Sequence, residues 1–115
     1  MSETETLTID QSRLADAWQQ TLPSLLNESD KAQVQADQAD PNALRVHIQT
    51  AGHTDYSFDF KVTYLDRREV KVDLVDVEKA DRTVDERNDV IQNLVEDYVR
   101  HLHECAQALK PLTNE

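Results

Sequence analysis

Asp97, His101 and Cys105 stand four residues apart near the end of the chain, with His103 and Glu104 between the last two. On a helix that spacing lines a carboxylate, an imidazole and a thiol along one ridge. A carboxylate can orient a histidine, and a histidine beside a thiolate can hold a soft metal or activate the sulfur. Metal binding or thiol chemistry is therefore the first reading that these residue types allow. The competing reading is structural: Cys105 also falls on an apolar stripe, His101 sits at its border, and a free cysteine most often behaves as a small buried hydrophobe. In that reading the three side chains do not converge, and no metal is expected.

Two further histidines are candidates for acid–base work. His47 alternates with Arg45 and Gln49 on a polar face, and His53 lies in a turn near Asp55; either could serve as a general base. Asp85, Glu86 and Asp89 gather at the start of a helical pattern, where they could meet a cation. The glycine of a calcium loop is missing, however, and acidic residues are favoured at any helix start. Tyr56, Phe58, Phe60, Tyr64 and Trp18 could line a ligand pocket or simply fill the core of a small domain. No catalytic constellation assembles from these residues.

The elements that must position them are legible from periodicity. From Tyr56 to Val77 nearly every second residue is apolar, the pattern of an antiparallel hairpin with one dry and one wet face. With Tyr64 opposite Val70, the residues Tyr56, Phe58, Phe60, Val62 and Tyr64 share the dry face with Val70, Val72 and Leu74. Lys61 then falls opposite Asp73, an opposite-charge pair that supports the register. Beyond Leu74 the phase slips: Val75 and Val77 become the apolar positions, as an extra residue in a bulge at Leu74 or Val75 would produce. Leu44, Val46 and Ile48 alternate with Arg45, His47 and Gln49 and predict a preceding strand. Lys31 to Asp40 has one large apolar residue, Val34, and is balanced between a weak edge strand and a loop.

Helices flank this sheet. Asp10 suits an N-cap, Ile9 and Leu14 suit a hydrophobic staple, and Leu14, Trp18, Leu22 and Leu25 or Leu26 recur at helical spacing. Pro23 must kink that helix or end it and begin a further turn. At the other end, Thr83 to Glu86 fits a capping box, while Ile91, Val95, Tyr98, Leu102, Cys105 and Leu109 form an apolar stripe that Pro111 ends. The expected fold is α+β: a three- or four-stranded antiparallel meander between an N-terminal and a C-terminal helix, both packed on one sheet face. Residues 9–111 form a single domain, with a disordered segment at 1–8 and a frayed end at 112–115. This order of elements occurs in unrelated folds and transfers no function.

Composition narrows the choices. The 115 residues include 12 basic and 23 acidic ones, a net charge of −11, which disfavours direct binding to nucleic acid or to anionic lipid. A single cysteine and an acidic start place the chain in a reducing cytoplasm, and no apolar run is long enough to span a bilayer. One glycine in the whole chain excludes phosphate loops and dinucleotide turns, which need several at fixed spacing.

What remains is a non-catalytic binding or regulatory module that acts through a protein–protein interface, a homodimer being one form of it. The wet sheet face supplies the interface candidates Arg45, His47, Asp59, Lys61, Lys71 and Asp73. A second reading, motivated by the acidic run from Asp73 to Asp97, is an inhibitor that mimics nucleic acid and occupies a basic groove. The third is a metal-binding or thiol-dependent protein built on Asp97, His101 and Cys105. No motif implies a cofactor.

Overall fold

The computed structural model describes residues 10–26, 30–50, 56–66, 69–79, 82–83 and 89–113. Helix α1 (Gln11–Thr21) starts after Asp10, whose backbone is extended and whose carbonyl accepts the first helical bond from the Leu14 N–H at 3.0 Å. Asp10 takes the N-cap position, but its side chain makes no capping bond. Pro23 ends α1 and sits at the start of a 3-10 turn, Leu22–Leu25, where its missing N–H removes no helical bond. The staple from Ile9, the turn at 51–53, the capping residues 84–86 and the segments 1–8 and 114–115 lie outside the described residues.

Four long strands follow as an antiparallel meander: β1 (Lys31–Ala36), β2 (Ala43–Gln49), β3 (Tyr56–Tyr64) and β4 (Val70–Lys79). A two-residue strand β5 (Arg82–Thr83) returns against Glu78 and Lys79. The balanced segment is thus a strand, and β1 pairs with β2 from Lys31 opposite Gln49 to Ala36 opposite Leu44. The hairpin register is the one the alternation predicts: Tyr64 faces Val70 and Lys61 faces Asp73. The bulge is there too, because Phe60 pairs with Leu74 while Asp59 pairs with Asp76, leaving Val75 as the extra residue. Val75 is turned out to 46% exposure, and Val77 returns to the core at 0%.

Both helices cover the dry face, α1 along β1 and α2 (Asp89–Ala108) along β4. Leu14, Trp18 and Leu22 meet Phe58, Phe60, Val62 and Tyr64 from the sheet and Ile91, Tyr98, Leu102 and Cys105 from α2 in one buried cluster. The aromatic residues therefore fill the core. Phe58 packs on Tyr98 at 5.3 Å between ring centroids, and the Trp18 indole N–H donates to the Tyr64 hydroxyl at 3.1 Å, joining α1 to β3. Tyr98 donates to Asp30 at 3.1 Å, which ties α2 to the chain just before β1. Past α2, the short helix α3 (Lys110–Thr113) runs through Pro111 and lays Leu112 on the core cluster, so ordered structure continues beyond the predicted stop. No helix among the described residues is long and apolar enough to cross a membrane.

Candidate functional site

The helical ridge does not assemble. Asp97 contacts Arg100 at 3.2 Å, His101 Nδ1 contacts Glu104 at 2.9 Å, and Cys105 is fully buried in the core. Burial pushes the Cys105 thiol up to about 12, so the sulfur stays protonated, the form that neither attacks nor ligates well. Helical spacing put three side chains on one strip, but the strip faces from solvent into protein and divides them. His103 is exposed on the far side, and His53, Asp85 and Glu86 lie outside the described residues.

The predicted interface candidates do share a surface. Strand pairing lays polar residues across the wet face in rungs: Gln33, His47, Asp59 and Asp76 in one, Gln35, Arg45, Lys61 and Asp73 in the next. Lys71 follows beside Thr63. Together with Val75, the first rung and Gln35 and Arg45 line a concavity of about 370 Å³. The bulge steps the sheet at Val75, on the rim of this concavity.

Charge is distributed unevenly over this face. Arg45 donates to Asp37 at 2.8 Å, Lys61 reaches Asp40 at 3.7 Å, and Lys71 reaches Asp73 at 3.8 Å. Asp37 is nearly covered and also accepts from the N–H groups of Ala39 and Asp40, at 2.8 and 3.1 Å. The Arg45 guanidinium, helped by those N–H groups, holds the Asp37 carboxyl below the ordinary carboxylate range. Both Arg45 and Lys61 are thus drawn toward the loop 37–40. Although Lys61 and Asp73 are cross-strand neighbours, each finds its ion-pair partner elsewhere.

Acid is left in the middle. Asp59, Asp76 and Glu78 bring one carboxylate oxygen each within 4.8 Å of one another. Asp59 meets His47 Nδ1 at 2.7 Å, and Asp76 accepts from the Val77 N–H at 2.9 Å. Hard cations bind oxygen donors of this kind, and so do the ammonium and guanidinium groups of a protein partner. The His47–Asp59 contact fixes the imidazole by one nitrogen, as a general base requires. Among the described residues, however, no hydroxyl or thiol hydrogen-bonds to His47, and no nucleophile completes a triad. The described members of the acidic run divide between layers, Asp73, Asp76 and Glu78 on the sheet and Asp89, Glu96 and Asp97 on α2.

Gln33 and Gln35 escaped the sequence reading because β1 carried too few large apolar residues to declare its alternation. Asp76 and Glu78 were visible as the polar half of a phase slip and as members of the acidic run, but nothing local showed that Asp59 lies across from Asp76. Asp37 did have a signal: an aspartate two and three residues before Ala39 and Asp40 is the pattern of a side chain capping its own turn. Comparison with protein-family models, with curated proteins and with solved structures finds no match for the chain.

Proposed function

We propose that the protein is a non-catalytic binding module whose wet sheet face takes up a cationic, extended segment of another protein. The observation that carries this reading is the charge arrangement of the concavity. Arg45 in its lining and Lys61 and Lys71 nearby each already contact a carboxylate. Asp59 and Asp76 of the lining and Glu78 next to them bring one oxygen each within 4.8 Å of one another, with, among the described residues, only the His47 imidazole beside Asp59. A lysine or arginine entering there relieves carboxylate repulsion and gains charge-assisted hydrogen bonds. The net charge of −11 adds long-range attraction for a basic partner and speeds its approach. Gln33 and Gln35 can hydrogen-bond a peptide backbone, and Val75 offers an apolar contact at the same rim.

Amide chemical-shift mapping with a lysine- and arginine-rich peptide, and with its glutamate-substituted counterpart as control, tests the reading. The basic peptide shifts the resonances of Gln33, His47, Asp59 and Asp76, and the effect weakens with added salt and in the Asp76→Asn, Glu78→Gln double variant. Shifts confined to the helices, or affinity indifferent to salt, would refute it.

A further inference from the structure

The two long edges of the sheet are finished differently. On β1, Gln19 of α1 covers the edge: its amide donates to the Ala32 carbonyl at 2.9 Å and its carbonyl accepts from the Val34 N–H at 2.8 Å. On β4 the phase of the ladder follows from the Leu65 N–H, which donates to the Glu69 carbonyl at 2.9 Å. Hydrogen-bonded positions alternate along an antiparallel pair, so Lys71 and Asp73 turn their backbone groups toward β3 while Val70, Val72 and Leu74 turn theirs outward. The other side of β3 agrees, since the Tyr64 N–H points to β2 and donates to the Asn42 carbonyl at 2.8 Å. β5 reaches only Glu78 and Lys79, and the Val77 N–H is taken by Asp76. Among the described residues, no hydrogen bond closes the outward groups of Val70, Val72 and Leu74.

We propose that this edge joins two copies of the chain, β4 pairing antiparallel with β4 of a second copy about a two-fold axis through Val72. That register sets Val72 against Val72 and Val70 against Leu74, so every outward-facing backbone group meets an outward-facing one. On the wet face it sets Lys71 against Asp73 of the second copy, twice by symmetry, at the closely spaced positions of the ladder. Sliding the strands by two residues in either direction brings Lys71 against Lys71 or Asp73 against Asp73. The sequence Val70-Lys71-Val72-Asp73-Leu74 is thus complementary to itself in the centred register and repulsive in the adjacent ones.

The apolar surface points the same way. On the dry face Val70, Val72 and Leu74 are only partly buried, whereas their β3 neighbours Tyr64, Val62 and Phe60 are buried. The exposed large hydrophobics Leu65, at 50%, and Val75, at 46%, flank this segment at its two ends. Among the described residues, nothing covers this edge between Val70 and Leu74, and that stretch carries no proline and lies before the bulge at Val75.

Sedimentation of the full chain from micromolar to millimolar concentration tests the proposal, with circular dichroism confirming the fold of each variant. The wild type approaches twice 13.2 kDa. Val72→Pro is monomeric yet folded, because its N–H points away from β3 and no internal ladder bond is lost. Lys71→Glu raises the dimer dissociation constant at least about tenfold by placing like charges across the two-fold. The exchanged pair Lys71→Glu, Asp73→Lys restores association, a rescue that a general loss of solubility or stability does not produce. In a mixed-label dimer, a contact between the α-protons of Lys71 and Asp73 of different chains reads the register directly. A wild type that stays monomeric at millimolar concentration overturns the proposal, as does a dimer that survives both Val72→Pro and Lys71→Glu. Protection of the Val70, Val72 and Leu74 amides only on adding a foreign strand peptide assigns the edge to a different partner and overturns it as well.

Discussion

Gln19→Ala should open the β1 edge. The Gln19 amide makes two hydrogen bonds, 2.9 and 2.8 Å long, to the outward backbone of β1, and both are partly buried beneath α1. A neutral hydrogen bond contributes about 1 kcal/mol net, and solvent reaching a partly open edge recovers some of that, so the loss is about 1.5 kcal/mol for the pair. For 115 residues, an unfolding entropy of ~2.1 cal/mol/K per residue makes ~0.24 kcal/mol/K, and the expected fall in Tm is ~6 °C. Alanine is the better helix former, so Gln20→Ala, at the exposed neighbouring position, serves as the control for propensity.

Amide exchange locates the effect. The Val34 N–H exchanges faster by about tenfold in Gln19→Ala, following the 1.4 kcal/mol per decade of an opening equilibrium, while the Phe60 N–H in the sheet centre follows global stability. Gln19→Glu gives a sharper reading. At neutral pH the carboxylate keeps the bond from Val34 but faces the Ala32 carbonyl without a proton, and below the ordinary glutamate pKa a protonated carboxyl restores the donor. Its deficit relative to wild type therefore shrinks as pH falls from 7 toward 4. A Gln19→Ala protein with unchanged Val34 exchange, or a Gln19→Glu deficit that does not respond to pH, refutes the clamp.

Four further outcomes can be measured by urea unfolding. Tyr64→Phe leaves the buried Trp18 N–H without its acceptor and costs about 1–3 kcal/mol, seen as a lower midpoint at unchanged slope. Burial raises Cys105 from 9.0 to about 12 and, against the Trp18 bond, Tyr64 from 10.0 to about 12; their contribution to stability is therefore full below pH 9 and falls between pH 9 and 12 as the unfolded chain ionises first. At ~1.4 kcal/mol per unit the loss is several kcal/mol, and Cys105→Ala removes the part of the slope that begins near pH 9. Asp37 is held below its ordinary range, so its contribution is present above pH 4 and is lost as acid titrates the folded form; the difference between wild type and Asp37→Asn narrows across that interval. Glu78→Gln relieves repulsion among three carboxylates within 4.8 Å and stabilises the protein by ~0.5–1 kcal/mol at low salt, while weakening the basic peptide.

Periodicity carried most of the fold because a strand's alternation is fixed by its geometry. The slip at Val75 was visible as a break of phase, and pairing of Asp59 with Asp76 but Phe60 with Leu74 is what that break means in three dimensions. β1 was ambiguous for an equally physical reason: Val34 is its only large apolar residue, and what holds it extended is remote, the pairing with β2 and the clamp from Gln19. The helical spacing of Asp97, His101 and Cys105 was real, yet spacing gives the angle between side chains and not the depth of the surface they enter. Cys105 went into the core and Asp97 into solvent. The carboxylate group of the sheet comes from two strands joined in register through a bulge, and no local window contains it.

The division of labour between the faces explains why a chain with one crowded core can carry an electrostatically unfavourable surface. Burial of Trp18, Phe58, Phe60 and Leu102 on the dry side supplies the large apolar contribution to folding. The wet side does not need to contribute much, so it can leave three carboxylates close together at a cost of order 1 kcal/mol per exposed pair. The loop 37–40 sharpens this imbalance by drawing Arg45 and Lys61 away from the sheet centre, where either could have neutralised Asp59. Gln19 closes the β1 edge, and pairing through β4, as proposed, would then confine association to the opposite side. A two-fold through Val72 would continue the wet face from one copy into the next, so a basic partner with two cationic segments could engage both concavities with an avidity that neither offers alone. The dependence of binding on protein concentration would report that coupling, and Val72→Pro would abolish it while leaving the single-site affinity unchanged.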